Sequence, residues 1–268
     1  MKIFVCVKQV PDTRGKVSLK KDGSLDRAKM STIINPDDLG AVEAALKLKE
    51  QTGAKVIAVT MGPPMANVML HEVYAMGVDE TVLMTGREVG GSDTYGTSTV
   101  LATMIRSIGL EKDDIIFCGR QAIDGDTAQV PSELAEKLGI AQLTYVSDVS
   151  LEGNTLTCKR SLEDGYMTVK VQTPCLLSCI KEIDTPRYMR ISRIFGWDEK
   201  RDMRVINYAE LKELPGFDET VIGTKLSPTI VLTSFALPKK TGGMMLEGAP
   251  ADQAKKLFQV MEDKHVLG

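Results

Sequence analysis

The residues best suited to chemistry lie in one run, Gly119-Arg-Gln-Ala-Ile-Asp-Gly-Asp-Thr-Ala-Gln-Val-Pro131. It follows an apolar stretch, Asp114-Ile-Ile-Phe-Cys118, and precedes a helical pattern with the stripe Leu134, Ala135, Leu138. A strand-to-helix turn of this kind aims unpaired main-chain N–H groups outward, and the helix dipole adds positive potential in front of them. The chemistry on offer is anion binding, with a phosphate as the natural guest. Gly125 allows close main-chain approach and Thr127 adds a hydroxyl donor. The plainer reading is a helix capped by Asp126 or Thr127. The run is neither a GxGxxG fingerprint nor a Walker A loop. It therefore points to a nucleotide without naming one.

In open α/β sheets, ligands bind outside the carboxyl ends of the strands. Other strand ends should therefore share this cleft: Cys6-Val-Lys-Gln-Val-Pro11 and Thr60-Met-Gly-Pro63. Two helix starts join them, Asn35-Pro-Asp-Asp38 and Asp93-Thr-Tyr-Gly-Thr97. Thr94 and Thr97 are either phosphate donors or simple N-caps. Met61 is either packing for an adenine or a core methionine.

Other chemistries are poorly supplied. The two histidines, His71 and His265, share no ligand spacing, and the five cysteines (Cys6, Cys118, Cys158, Cys175, Cys179) form no CxxC. No metal site is expected, and free buried thiols in a reducing cytoplasm account for the cysteines. No GxSxG elbow and no Ser–His or Cys–His motif occurs, so any redox or transfer chemistry must come from a cofactor. A formal net charge of −3 gives no reason to expect nucleic-acid binding. Apolar runs such as Ile230-Val-Leu232 are too short to span a bilayer, and Met1–Lys8 reads as a first strand rather than a signal peptide.

The segment Arg187-Tyr-Met-Arg-Ile-Ser-Arg-Ile-Phe195 alternates basic and apolar residues. It is either a solvated strand edge or a docking segment. In the second reading Ile191, Ile194 or Phe195 anchors in a partner pocket, and Arg187, Arg190 and Arg193 meet its carboxylates beside Tyr188.

The elements that position these residues follow from periodicity. Ile3–Val7, Lys55–Met61, Thr81–Met84 and Ile115–Cys118 are short, apolar and separated by helical patterns. Such strands belong to a parallel sheet covered on both faces. Asp22-Gly23 between Val17, Leu19 and Leu25 signals a small hairpin. Asn35 as N-cap, Pro36 and the acidic Asp37 and Asp38 open a helix that stops near Gly53. Further helices are expected from Pro63 or Pro64 to Met76, and from Thr94 to Ile108. Leu143–Val149, Thr155–Lys159, Tyr166–Val171 and Cys175–Ile180 read as an antiparallel meander with short turns. After residue 183 patterning weakens, apart from a short helix near Tyr208–Leu214 and a last one at Ala251–Asp263. The expected division is an α/β domain over 1–183 and an arm over 184–268 lying on another protein.

Taken in order, several blocks resemble the small (beta) subunit of electron-transferring flavoprotein: Val5-Cys-Val-Lys-Gln-Val-Pro-Asp12, Asn35-Pro36, Val56-Ile-Ala-Val-Thr-Met-Gly-Pro63, Ala75-Met-Gly77 and Gly119-Arg-Gln-Ala-Ile-Asp124. Lys159-Arg-Ser-Leu-Glu-Asp-Gly-Tyr166 with Thr173-Pro-Cys-Leu-Leu-Ser178 resembles the family's signature. Cys158 and Met167 depart from the usual pattern. The resemblance covers essentially the whole chain. It implies an adenine nucleotide alpha hydrolase-like fold and a cytoplasmic heterodimer with an alpha subunit that carries FAD. It also implies a nucleotide on this chain, AMP in ordinary members. Asp124-Gly-Asp-Thr-Ala-Gln-Val-Pro131 is similar to the electron-bifurcating subgroup, which holds a second FAD there. In that subgroup NADH is the hydride donor, and electrons go to ferredoxin or flavodoxin and, through the alpha-subunit FAD, to a dehydrogenase; an acyl-CoA dehydrogenase or reductase is expected here, with a lactate dehydrogenase as the alternative. By the same resemblance Cys6, Asn35, Pro36, Asp37, Asp38, Met61, Asp124, Gly125, Asp126, Thr127, Ala128, Gln129 and Val130 line the nucleotide, and Thr94 and Thr97 reach its pyrophosphate. Ile191 is the anchor for the dehydrogenase.

Overall fold

The four apolar runs become central strands because each has both faces to bury. They are β1 (Lys2–Cys6), β4 (Lys55–Met61), β5 (Glu80–Thr85) and β6 (Ile115–Gly119). The computed structural model describes residues 1–12, 31–232 and 242–266; the hairpin expected at Val17–Leu25 lies outside them. β1 pairs in parallel with β4 on one side and with β6 on the other, Ile3 standing opposite Val56 and Ile115. A short ladder of β2 (Gln9–Pro11) and β3 (Thr32–Ile34) lies apart from this sheet.

Four helices cover the sheet. α1 (Pro36–Thr52) ends where Gly53 takes a left-handed φ of 71° and its amide closes on Lys49 O. α2 (Asn67–Met76) follows a 3-10 turn at Pro64–Ala66. α3 (Thr94–Ile108) and α4 (Val130–Leu138) complete the set. Alternation along β1 divides the core. Ile3 and Val5 pack with α1 and α2, while Phe4 and Cys6 pack with α3 and α4.

The sheet order is β11 (Met203–Asn207), β5, β4, β1, β6, β10 (Cys175–Cys179), β7 (Ala141–Glu152), β8 (Thr155–Leu162), β9 (Gly165–Gln172). The chain runs outward from β1 through β4 to β5, then returns to place β6 on the other flank of β1. The direction of winding thus reverses between β1 and β6, and the crevice outside their carboxyl ends is the switch point where such sheets hold ligands.

β7 (Ala141–Glu152), β8 (Thr155–Leu162) and β9 (Gly165–Gln172) form the expected antiparallel ribbon. The fourth member of the expected meander does not. β10 (Cys175–Cys179) is parallel and inserts between β6 and β7. All five of its residues are buried, the mark of a strand covered on both faces rather than of an outer antiparallel strand.

Residues 184–232, expected to begin the arm, belong to a first compact unit of Met1–Leu232; Thr233–Gly268 is a second unit. In the first, β11 (Met203–Asn207) pairs in parallel with β5 and adds a strand at the far end of the sheet. Only Met203 and Ile206 of β11 are buried, so its apolar signal is thin. Around it lie α5 (Ile191–Gly196), α6 (Glu199–Asp202), α7 (Tyr208–Glu213) and α8 (Gly223–Leu226). The second unit holds α9 (Pro250–Asp263). Among the described residues no helix is long and apolar enough to cross a membrane.

Candidate functional site

The loop after β6 is built on two residues in an unusual conformation. Asp126 and Ala128 have left-handed φ values of 51° and 54°. For residues that carry a Cβ this costs about 1–2 kcal/mol apiece. Gly125, expected to be the permissive residue, is not among the left-handed positions, but a side chain there would meet nothing within 4 Å, so its surroundings are open. The amides of Gly125 and Asp126 both donate to Ala122 O at 3.2 and 2.9 Å. The next four amides, Thr127 to Val130, have no acceptor among the described residues. No side chain caps α4. Asp126, one of the two expected caps, accepts from Gln121 Nε2 at 2.9 Å instead. Successive amides around left-handed residues form an anion-binding concavity, here at the positive end of a helix.

Three side chains at the start of α1 hold this loop from beneath. Asn35, expected as the N-cap, makes no capping bond and is fully buried. Its Nδ2 donates to Gln121 O at 2.8 Å and its Oδ1 accepts from Ile123 N at 3.2 Å. Asp38 accepts from Gly119 N at 3.0 Å with Oδ1 and from Lys8 N at 2.8 Å with Oδ2. It thereby ties the ends of β6 and β1 together. Asp37 Oδ2 faces Arg120 Nε at 3.3 Å, an ion-pair distance without hydrogen-bond geometry. A Cβ on Gly119 would stand 2.2 Å from Asp38 Oδ1 and 2.8 Å from Asp38 N, so only glycine lets α1 approach β6 this closely. Lys8 Nζ closes the ring by pairing with Asp124 Oδ1 at 2.7 Å.

Electrostatics follow from burial. Burial pushes the Asp38 carboxyl up to about 7, against the opposing hydrogen bonds from Asn35, Lys8 N and Gly119 N. Burial also raises Asp37, opposed chiefly by Arg120. The hydrogen bond with Cys6, then burial, holds the Cys118 thiol well above its ordinary range, so Cys118 stays protonated. Cys6, at the end of β1, is buried. Met61, at the end of β4, is half-buried against the α3–α4 side of the core.

α3 faces the loop from across the crevice. Its N-cap is Asp93, which accepts from Gly96 N at 2.9 Å; Thr94 and Thr97 are not the caps. Thr94 Oγ1 stands 3.2 Å from Gln129 Oε1 and donates to Glu133 Oε1 at 3.1 Å. Thr97 sits three residues on, half-buried. Glu133, which also accepts from Ser98 Oγ at 3.2 Å, carries no signal in its sequence neighbourhood. Lys8 and Gln121 lie within the stretches expected at the cleft, but their side-chain partners, Asp124 and Asp126, are visible only in the structure. A depression of about 390 Å³ flanks the first turn of α4, bordered by Ser132, Thr144 and Arg160, and includes none of residues 124–130.

The basic segment is fastened to α1 and α2. Arg187 pairs with Glu43 at 2.9 Å and Glu50 at 2.5 Å. Arg193 donates to the carbonyls of Tyr74 and Val78, and His71 Nε2 donates to Ile194 O at 3.0 Å. Trp197 stacks on His71 at 5.1 Å and meets Tyr74 edge-on at 4.9 Å. Arg187 and Arg193, expected to meet a partner, are therefore engaged within the chain. Tyr188, Arg190, Ile191 and Phe195 face outward, with Tyr188 97% and Ile191 72% exposed.

Comparison with known proteins agrees with this architecture. Residues 22–205 match the electron transfer flavoprotein domain. Over its whole length, and over the whole of each relative, the chain is 50% identical to the acryloyl-CoA reductase electron transfer subunit gamma of Anaerotignum propionicum. It is 42% identical to the caffeyl-CoA reductase-Etf complex subunit CarD of Acetobacterium woodii and 43% identical to the electron transfer flavoprotein subunit beta of Clostridium acetobutylicum, again over full lengths. Sequence blocks, sheet and relatives agree: the chain belongs to the electron-transferring flavoprotein family, as one of its beta subunits.

Proposed function

We propose that this beta subunit holds FAD in the crevice between β1 and β6, and serves an NADH-dependent, electron-bifurcating complex with a flavin-bearing alpha subunit. The observation that carries this reading is the row of four amides, Thr127 to Val130, without an acceptor among the described residues. They lie at the uncapped start of α4 and at the switch point of the sheet. The site fits a phosphate-bearing nucleotide: donors are arrayed around left-handed residues, Gly125 is open, and no carboxylate caps the helix. The names of two relatives, subunits of acryloyl-CoA and caffeyl-CoA reductase systems, support an acyl-CoA dehydrogenase or reductase as the partner. The loop's likeness to the bifurcating subgroup favours FAD over AMP.

When bound, FAD would supply the redox chemistry, with hydride from NADH as the input and ferredoxin or flavodoxin and, by way of the alpha-subunit FAD, the dehydrogenase as the electron acceptors. The chain's own residues bind and orient. The amides of Thr127 to Val130 and the hydroxyl of Thr127 take the pyrophosphate, joined by Thr94 and Thr97. Asn35, Asp37 and Asp38 fix the main chain that presents them. The protonated thiol of Cys118 adds no charge beneath the site. Five buried free thiols match a reducing cytoplasm.

The test is flavin counting. Heterodimer incubated with excess FAD, desalted and denatured, should release two FAD per heterodimer, read by absorbance and chromatography. One FAD with one AMP would leave an electron carrier with a structural nucleotide and reject bifurcation. One FAD and no second nucleotide would reject the site itself.

A further inference from the structure

Residues 221–229 lie across the turn that opens α3, and both stretches are shaped for the contact. Gly223 N donates to Ser92 Oγ at 2.7 Å. Ser227 Oγ accepts from Asp93 N at 3.0 Å. Asp93 Oδ2 accepts from both the amide and the hydroxyl of Thr229, at 2.8 and 2.9 Å. These partners are 131 to 136 residues apart in sequence, so nothing local brings them together.

Three glycines make the approach possible. A Cβ on Gly96 would stand 2.7 Å from Val221 O, and one on Gly91 would stand 2.3 Å from Thr224 Oγ1. A Cβ on Gly223, whose φ is 74°, would stand 2.4 Å from Glu88 O. At Gly96 and Gly223 main chain meets main chain directly, and at Gly91 it meets the Thr224 side chain. Ile222 and Val89, each 3% exposed, are buried in the same core.

Asp93 joins this crossing to the crevice. One carboxylate oxygen caps α3 through Gly96 N, and the other is held by Thr229. The next residue, Thr94, places its hydroxyl against Gln129 and Glu133, at the end of the row of free amides. Beyond Thr229 the chain continues to the second unit, which begins at Thr233.

We infer that residues 221–229 are a strap that sets the first turn of α3 against the nucleotide loop, with Asp93 and Thr229 as positioning residues. This rests on the reading of residues 124–130 as a nucleotide site. The coupling is reciprocal. A nucleotide in the loop tightens the strap, and a slackened strap releases the nucleotide.

The full chain, as heterodimer stripped of nucleotide, is titrated with AMP and separately with FAD by calorimetry. Hydrogen exchange of peptides spanning 221–229 is followed with and without each. Gly223→Ala, which forces the main chains apart, should weaken binding about fivefold or more, and Thr229→Val, which removes one of the bonds to Asp93, about two- to threefold. Gly153→Ala, a left-handed glycine (φ 58°) in the β7–β8 turn with nothing within 4 Å, should bind as the wild type and controls for general strain. Saturating nucleotide should slow exchange in 221–229. If the wild type binds neither AMP nor FAD, the nucleotide reading falls and takes the strap with it. If the wild type binds but both variants match it, or if nucleotide leaves exchange in 221–229 unmoved, the strap alone is overturned. Should Gly223→Ala fail to fold, Thr229→Val and exchange in the wild type decide the matter.

Discussion

A buried carboxylate needs a reason to exist, and Asp38 has one. Each of its oxygens accepts an amide from a different strand end, Gly119 and Lys8. An asparagine in its place would present one acceptor and one donor, and the donor would face an N–H. The cost is visible in its acidity. Asp38 titrates near 7 in the fold, against an ordinary value of 3.8, because burial outweighs the hydrogen bonds. A raised carboxyl binds its proton more tightly folded than unfolded. Its contribution therefore lowers stability as pH rises from about 4 to about 7, by up to ~4 kcal/mol at 1.36 kcal/mol per pKa unit. Asp37, also raised by burial, acts in the same direction, whereas carboxyls held low, such as Asp93 and Asp202, act in the opposite one below pH 4. The expected result is that the unfolding free energy of the wild type, minus that of Asp38→Asn, declines steadily between pH 4.5 and 7.5 in urea titrations. A pH-independent difference would mean that the carboxyl ionises normally and the clamp is not as buried as it stands here.

Much of the architecture was legible where one residue type serves one local purpose. Asn35-Pro36 marks the start of α1, Gly53 marks its end, and the apolar runs mark β1, β4, β5 and β6. What escaped was long-range. Asn35 resembles an N-cap in any local window, yet its amide is committed to Gln121 and Ile123, far away in the chain. The left-handed φ values fall on Asp126 and Ala128 rather than on the glycine between Asp124 and Asp126, because the clamp and α4 dictate the loop's path. β10 followed a turn that suggested a meander, and only its burial on both faces reveals a central strand. The 187–197 segment shows the same limit. Its arginines looked like partner contacts, but Arg187 and Arg193 fasten it to α1 and α2 while Trp197 seats between His71 and Tyr74. The segment is thus a preformed knob that offers Ile191 and its exposed neighbours at little ordering cost. Ile191→Ala should weaken electron transfer at limiting dehydrogenase by the equivalent of about 2 kcal/mol, the usual worth of an anchor, with NADH-dependent reduction unchanged. Trp197→Ala should produce a similar loss while also speeding exchange in 187–197. Unchanged transfer in both variants would remove this surface from the dehydrogenase interface.

The molecule divides its labour between two units. Among the described residues, every buried one lies between Ile3 and Ser227, inside the first unit, Met1–Leu232. The second unit offers α9, a 14-residue helix with Leu257 49% and Phe258 59% exposed and no buried residue. Ala254, Leu257, Phe258 and Met261 fall at helical spacing on one side. A helix of this length is marginal in water unless that side is covered, and we propose the alpha subunit of the complex as the cover. This assignment separates stability from assembly. A chain ending at Leu232 should melt within about 2 °C of the full chain, a shift that corresponds to about 1 kcal/mol at this size, because it keeps every buried residue among those described, and the strap. Its association with the alpha subunit should weaken tenfold or more by sedimentation or calorimetry. Phe258→Asp in the full chain should reproduce most of that loss without a change in melting, since a charge on the apolar side opposes docking and the side chain is 59% exposed. If truncation lowers the melting temperature by several degrees and leaves association intact, the second unit belongs to the stability of the chain itself, and the partner-docking role passes back to the α/β unit.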